Sequence, residues 1–135
     1  MLIKYDIIED KKLVLAKGTG NIKGIDVIKH LDELASDDRY ISPMKKLIDY
    51  RFVKSINISQ DEAVKIAMKK DTLSKKFLNE KCAFVSPMIE TYVTSRTHQY
   101  LIDNTSVNTA VFKIMEEALD WLDIELDSKM EEWLK

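Results

Sequence analysis

Ile3, Tyr5 and Ile7 alternate with polar residues, the period of a strand with one buried face. A polar turn at Glu9-Asp10-Lys11 separates them from Leu13-Val14-Leu15-Ala16, so the chain is predicted to open with a β-hairpin. Ile25, Ile28, Leu31 and Leu34 then fall at helical spacing, and this first helix is predicted to end near Ser36-Asp37-Asp38. An apolar strand over Lys46–Tyr50 follows, with strand character resuming around Val53–Ile56. Ser59, with Glu62 three residues on, forms a capping box that opens a second helix. Its predicted inner face is Ala63, Ile66, Ala67, Leu73 and Phe77, with Lys65, Lys69, Lys70, Lys75 and Lys76 mostly outside.

Cys82-Ala83-Phe84-Val85 is a short continuous apolar run, as expected of a strand buried on both faces. Ser86-Pro87 supplies an N-cap and a first-turn proline for a third helix, which would bury Met88, Ile89, Tyr92 and Val93, and extend toward Tyr100 and Leu101. After a turn-rich Asp103–Ser106, Ala110-Val111-Phe112 is the last strand and Met115–Leu122 a helix. The apolar rhythm continues through Leu126, Met130 and Trp133, so this helix either extends or is followed by a short one that packs back. The order β-β-α-β-α-β-α-β-α predicts a single α/β domain: an opening hairpin, then a mainly parallel mixed sheet with helices packed on it. Residues 1–122 are read as the domain and 123–135 as a C-terminal amphipathic extension.

The bulk composition narrows the classes. A chain of 135 residues with 45% hydrophobic and 33% charged residues fits one folded core without staples. Its net charge of -2 offers no overall attraction to nucleic acid or an anionic membrane, and no recognised nucleic-acid motif is present. No apolar run is long enough for membrane insertion. A single cysteine, Cys82, and acids in MLIKYDIIED, where a signal peptide would be apolar, lead us to expect a cytoplasmic protein.

Candidate chemistry is sparse. All 3 glycines fall in Gly18–Gly24, between a strand and a helix. A dinucleotide fingerprint would need glycine where Lys23 stands, and the Walker Gly-Lys-Ser/Thr is missing, so a plain connecting loop is expected. His30 is expected at the surface or boundary of the first helix, and His98 in polar, exposed surroundings. No ligand pair has metal spacing, no cofactor is implied, and Cys82 reads as a buried, inert strand thiol. No acid–base or nucleophile constellation emerges, so no enzyme is expected. Asp49, at a strand end, is a base, a ligand contact or an acceptor for the following backbone; with Ser55 and Asn57 it marks a candidate ligand or switch loop. Ser59 is either a helix N-cap alone or a phosphoacceptor whose phosphate would sit on free N–H groups at the helix dipole. Leu126, Met130, Trp133 and Leu134 form an apolar stripe that either makes an interface or packs back on its own subunit.

The pattern resembles the SpoIIAA-like family of small bacterial proteins, relatives of the STAS domain of anti-sigma-factor antagonists. The resemblance is carried by the hairpin and Gly-containing turn of Lys12–Gly24, by Ser42-Pro43-Met44, by Leu47-Ile48-Asp49-Tyr50-Arg51, and by Phe112 with Glu116-Glu117-Ala118-Leu119-Asp120-Trp121-Leu122. It implies a SpoIIAA/STAS-like fold, in a family whose members largely lack an assigned activity. In anti-sigma antagonists a serine at the start of the helix after the central strand is phosphorylated. Ser59 falls on that position, while Asn57, Ile58 and Gln60 depart from the D-S-S-G-like pattern. The expected function is a non-catalytic regulatory or protein-interaction module, partnered by a second copy in a homodimer or by another protein. The alternative is a small-molecule or lipid-binding protein with a pocket between helices and sheet.

Overall fold

The computed structural model describes residues 2–88 and 108–135. In chain order its elements are β1 (Ile3–Ile8), β2 (Leu13–Lys23), α1 (Gly24–Ala35), β3 (Lys45–Asn57), α2 (Gln60–Thr72), β4 (Lys81–Val85), β5 (Asn108–Phe112), α3 (Met115–Leu122) and α4 (Ser128–Leu134). The predicted third helix from Ile89 onward, the Asp103–Ser106 turn and His98 lie outside the described residues.

The five strands form one sheet in the order β1-β2-β3-β4-β5. β1 and β2 make the expected antiparallel hairpin, closed by a 3-10 turn over Glu9–Lys11 with Lys12 in the left-handed region (φ 50). The other neighbours are all parallel. Strand alternation then sorts side chains onto two faces. Val14, Ala16, Ile48, Tyr50 and Phe84 face one way and meet Leu31 and Leu34 of α1 and Ile66 of α2. Leu13, Leu15, Leu47, Ala83 and Val85 face the other way and meet Met115, Ala118, Leu119 and Leu122 of α3. Both faces are therefore covered, which is why β4 reads as a continuous apolar run. No helix among the described residues is long and apolar enough to cross a membrane.

Two expectations change. The Gly18–Gly24 segment is not a loop: β2 runs through it to Lys23, and α1 begins at Gly24. Here the glycines serve close packing, since a Cβ on Gly18 would lie 2.7 Å from the Tyr50 ring and one on Gly24 2.4 Å from the Glu62 carboxylate. Gly20 takes φ +70, beside a register shift in the ladder, where an L side chain would be strained. Likewise β3 is not interrupted after Tyr50 but continues to Asn57, paired throughout with β2. β1 reaches only Leu13–Gly18 of β2, and β4 only Lys45–Asp49 of β3. Past those limits, among the described residues, β2 and β3 run on as a two-stranded ribbon.

The tail resolves into the second of its two readings. Asp123 adopts φ 55 and ends α3, and Asp127 then caps a short α4, its Oδ1 accepting from the Met130 N–H at 2.9 Å. Met130 and Leu134 are buried in the α3-side core of the same chain, while Leu126 and Trp133 flank it partly buried. The side chains of Met130 and Leu134 are thus taken up in cis and are not an exposed interface stripe.

Candidate functional site

The ribbon gathers most of the residues singled out from the sequence. At its base the Asp49 carboxylate is fully buried, and Arg51 reaches it in a two-pronged pair: Nε to Oδ1 at 3.0 Å and Nη2 to Oδ2 at 2.9 Å. The Arg51 backbone N–H donates to the same Oδ1 at 3.0 Å. With both oxygens engaged, Asp49 is a structural acceptor rather than a poised base. Arg51 also approaches the Leu134 carbonyl at 3.5 Å, and the Lys17 ammonium donates to the Lys135 carbonyl, tying the end of α4 to the ribbon.

Next to this anchor Phe52 leaves 47% of its surface in solvent. The Lys17 ammonium lies 4.9 Å from its ring centroid and the Arg51 guanidinium 5.5 Å, both within cation–π range. Further along, the Ser55 hydroxyl donates to Asn21 Oδ1 at 2.9 Å, and exposed Asn57 pairs with Lys23 at the ribbon's end. The chain then turns into α2 at exposed Ser59. Both halves of the predicted capping box are present: Ser59 Oγ accepts from the Glu62 N–H at 3.1 Å, and Glu62 Oε1 accepts from the Ser59 N–H at 3.0 Å. These bonds to Ser59 hold the Glu62 carboxyl below its usual pKa. Glu62 also abuts Gly24, the first residue of α1.

A second constellation lies inside the molecule, and it was not anticipated. Ile7, Val14, Lys46, Cys82 and Thr109 are register partners across the five strands, and strand parity turns Lys46 and Cys82 toward α1 and α2. Lys46 is 1% exposed, Lys70 of α2 4%, Glu80 1% and His30 of α1 3%. Glu80 accepts from the Tyr40 hydroxyl at 2.5 Å and lies 3.5 Å from the Lys70 ammonium. His30 and Lys70 are thus both buried, where His30 was expected at the surface or boundary and Lys70 among lysines mostly outside. Each shares a helix face with apolar residues that point at the sheet, His30 beside Leu31 and Leu34, and Lys70 one turn from Ile66.

The buried charges act on one another. Burial, against the attraction of Glu80, lowers Lys46 to about 8. Lys70 is raised, because Cys82 and its pairing with Glu80 overcome the desolvation cost. Burial pushes the Cys82 thiol up to about 11, which keeps it protonated and inert, as expected of a strand cysteine. Burial, with Lys46 and Lys70 nearby, drives His30 well below its ordinary value, so its imidazole is neutral. Neither His30 nitrogen has a hydrogen-bond partner among the described residues, and its ring packs edge-on to Tyr5 with centroids 5.5 Å apart. No group of three or more metal-ligating side chains is assembled among the described residues.

No family model matches the sequence, and no curated protein matches it. Among solved structures, it is similar to an uncharacterised protein of the DUF3478 family with a SpoIIAA-like fold from Shewanella loihica. The two are 20% identical, and the alignment covers 89% of this chain and 91% of that one with a TM-score of 0.56. That likeness establishes architecture, and it agrees with the strand order and helix placement described above. The chain has a SpoIIAA-like fold.

Proposed function

We propose that the protein is a non-catalytic interaction module that recognises another protein chain, a second copy included, through the outer face of the β2–β3 ribbon. The observation that carries this reading is Phe52: a large aromatic held in solvent at 47% exposure by two flanking cations, on a ribbon pinned at its base by the buried Asp49–Arg51 pair. Aromatic and arginine side chains on a rigid support are the usual energetic anchors of an interface. Ser59 supplies a means of control. Its phosphorylation would set a dianion against the Glu62 carboxylate and break the capping box, releasing the contact that Glu62 makes at Gly24.

Native mass spectrometry of protein recovered gently from its own cells tests this reading. A homodimer or a stoichiometric protein complex is expected, lost in Phe52→Ser while the melting temperature stays within a degree or two. A bare monomer under every condition, or a complex indifferent to Phe52→Ser, would overturn it. Phosphate-affinity gels test the control step: a shifted band that Ser59→Ala abolishes is expected, and no shifted band under any growth condition removes it.

A further inference from the structure

β1 ends the sheet on one side, and its outer edge pairs with no strand among the described residues. The ladder decides which of its backbone groups face outward. The Thr19 N–H donates to the Leu2 carbonyl at 2.9 Å, so Leu2, Lys4, Asp6 and Ile8 turn their backbone groups toward β2. Ile3, Tyr5 and Ile7 therefore turn theirs outward. The Ile7 N–H agrees with that parity, since its partner is not a strand but the Asp6 carboxylate, whose Oδ1 accepts from it at 2.8 Å. The same oxygen accepts from Arg39 Nη1 at 3.2 Å. The edge is thus closed at Ile7 and open at Ile3 and Tyr5. A groove of about 570 Å³ follows the open stretch, with Tyr5 and Glu33 of α1 on one side and Lys4, Lys17 and Trp133 of α4 on the other. An unpaired strand edge is a template for another strand.

The charges on β1 select which strand. Pairing with β1 of a second copy about a twofold axis is antiparallel, and the outward groups require Ile3, Tyr5 and Ile7 to be the hydrogen-bonded positions. A register centred on Lys4 sets lysine against lysine, and one centred on Asp6 sets aspartate against aspartate, both unfavourable. Centring on Tyr5 instead sets Lys4 against the partner's Asp6, and Asp6 against the partner's Lys4. These are non-hydrogen-bonded positions, where facing side chains come closest. Lys4 is exposed, its neighbour across the ladder is another lysine, Lys17, and it joins none of the ion pairs among the described residues. An acid from outside fits it. We propose that a second copy of this chain docks edge to edge on β1 about a twofold axis at Tyr5, continuing the sheet across both subunits. On docking, the Asp6 carboxylate leaves the Ile7 N–H for the partner's Lys4, and the freed N–H meets the partner's Ile3 carbonyl. Arg39 keeps its bonds to Asp37, Nε to Oδ1 at 3.1 Å and Nη2 to Oδ2 at 2.9 Å. In the single chain the same carboxylate shields the edge. This contact goes beyond the ribbon reading and uses neither Phe52 nor Ser59.

Analytical ultracentrifugation of the full chain, with its charges exchanged, tests the assignment. The wild type is expected to sediment as a dimer at about 100 µM. Lys4→Glu leaves only acids at the two facing positions and Asp6→Lys only lysines, so each alone is expected to weaken the dimer about tenfold or more. Mixed one to one, the two variants set acid against lysine in both facing pairs, and a heterodimer of about wild-type strength is expected; circular dichroism checks that each is folded. A second measurement needs no substitution. Hydrogen exchange read by NMR should slow at the Ile3 and Tyr5 amides as the protein is raised from about 10 µM to about 500 µM, while the Lys4 amide, already bonded to β2, stays as it was. The ribbon contact is told apart by Phe52→Ser, which is expected to leave this dimer intact; a complex lost in Phe52→Ser but kept in Lys4→Glu belongs to the ribbon. A monomer at about 500 µM, a Lys4→Glu dimer as strong as the wild type, folded variants that do not pair when mixed, or Ile3 and Tyr5 amides indifferent to concentration would each overturn the proposal.

Discussion

The two faces of this sheet are built from the same strands and differ in how much charge their packed layers enclose. The α3–α4 side is mainly apolar: Leu13, Leu15, Leu47, Ala83 and Val85 meet Met115, Ala118, Leu119, Leu122, Met130 and Leu134, and its buried carboxylate, Asp49, is held by Arg51 at the base of the ribbon. Lys45 and Lys81 reach backbone carbonyls of Asp123 and Trp121 there. The α1–α2 side encloses Lys46, Lys70, Glu80 and His30 within an otherwise apolar layer. An apolar face gains stability from every methylene it buries, whereas a charged inclusion must first repay desolvation and rarely does so in full. The contrast therefore separates a face kept for stability from one that carries groups stability alone does not require.

The largest effects come from breaking each face by its own means. Glu80→Ala leaves Lys70 buried without its carboxylate and should cost about 3–5 kcal/mol in urea denaturation. On the apolar face Leu122→Ala should cost a similar amount, about 2–5 kcal/mol, through a cavity instead. The causes separate on repair. Replacing Tyr40, Lys46, Lys70 and Glu80 together by Phe, Met, Met and Leu should bring stability to within about 1 kcal/mol of wild type or above it, because that cluster then leaves no charge buried under α1 and α2. A quadruple variant as unstable as Glu80→Ala would show that the polar inclusion holds the α1–α2 face together.

Lys46 gives a gain rather than a loss. Its folded-state pKa of about 8 lies below the ordinary 10.5, so burial penalises the charged form. Lys46→Met should stabilise the protein by about 1–4 kcal/mol at neutral pH. Above pH 8 the unfolded chain keeps a proton that folded Lys46 has shed, so wild-type stability should rise with pH. Beyond about pH 9 Cys82 largely cancels this, since its thiol is held near 11 when folded and ionises more readily when unfolded. Denaturation curves between pH 8 and 9 should show the rise in wild type and not in Lys46→Met. His30 acts in acid. Its pKa is lowered well below 6.5, so stability should fall as pH drops from 6.5, where the unfolded chain takes up a proton that the folded one refuses. Comparing wild type with His30→Phe over pH 5 to 6.5 isolates that slope.

The same contrast explains how much could be read from the chain. The apolar face was legible because its strands and α3 repeat apolar residues at the right period, and the Ser59–Glu62 box marked the start of α2 to the residue. The polar inclusion was not, because lysine in a strand or helix ordinarily points outward. The signal was parity: Lys46 shares the side of Ile48 and Tyr50, and Lys70 falls one turn from Ile66. The glycine-rich run misled for a related reason. Glycine signals a turn when considered alone, but Gly18 and Gly24 answer to Tyr50 and Glu62, residues far along the chain that only the fold brings near. The sequence likewise offered no sign that β3 would outrun β4, since strand length past a neighbour depends on pairing rather than on local pattern.

The smallest effects concern the helix caps, one on each face, and they bear on what Ser59 is for. Ser59 caps α2 and Asp127 caps α4, each accepting from the N–H three residues on. Ser59→Ala should cost about 1 kcal/mol, and Ser59→Gly only a few tenths. Asp127→Ala should also destabilise, with a different pH signature. The Met130 N–H lowers the Asp127 pKa, so its capping is present above the ordinary carboxylate range and is lost as pH falls through the depressed value. The Ser59 hydroxyl does not titrate, so its bond to the Glu62 N–H survives acid even where Glu62 itself is protonated. If Ser59→Ala carries the full capping cost, local stability suffices to explain the serine, and any switch must act by breaking a bond already made. If Ser59→Ala leaves stability untouched while phosphorylation alters partner binding, Ser59 is there for the switch, and the face that encloses Lys46, Lys70 and Glu80 is also the one on which regulation acts.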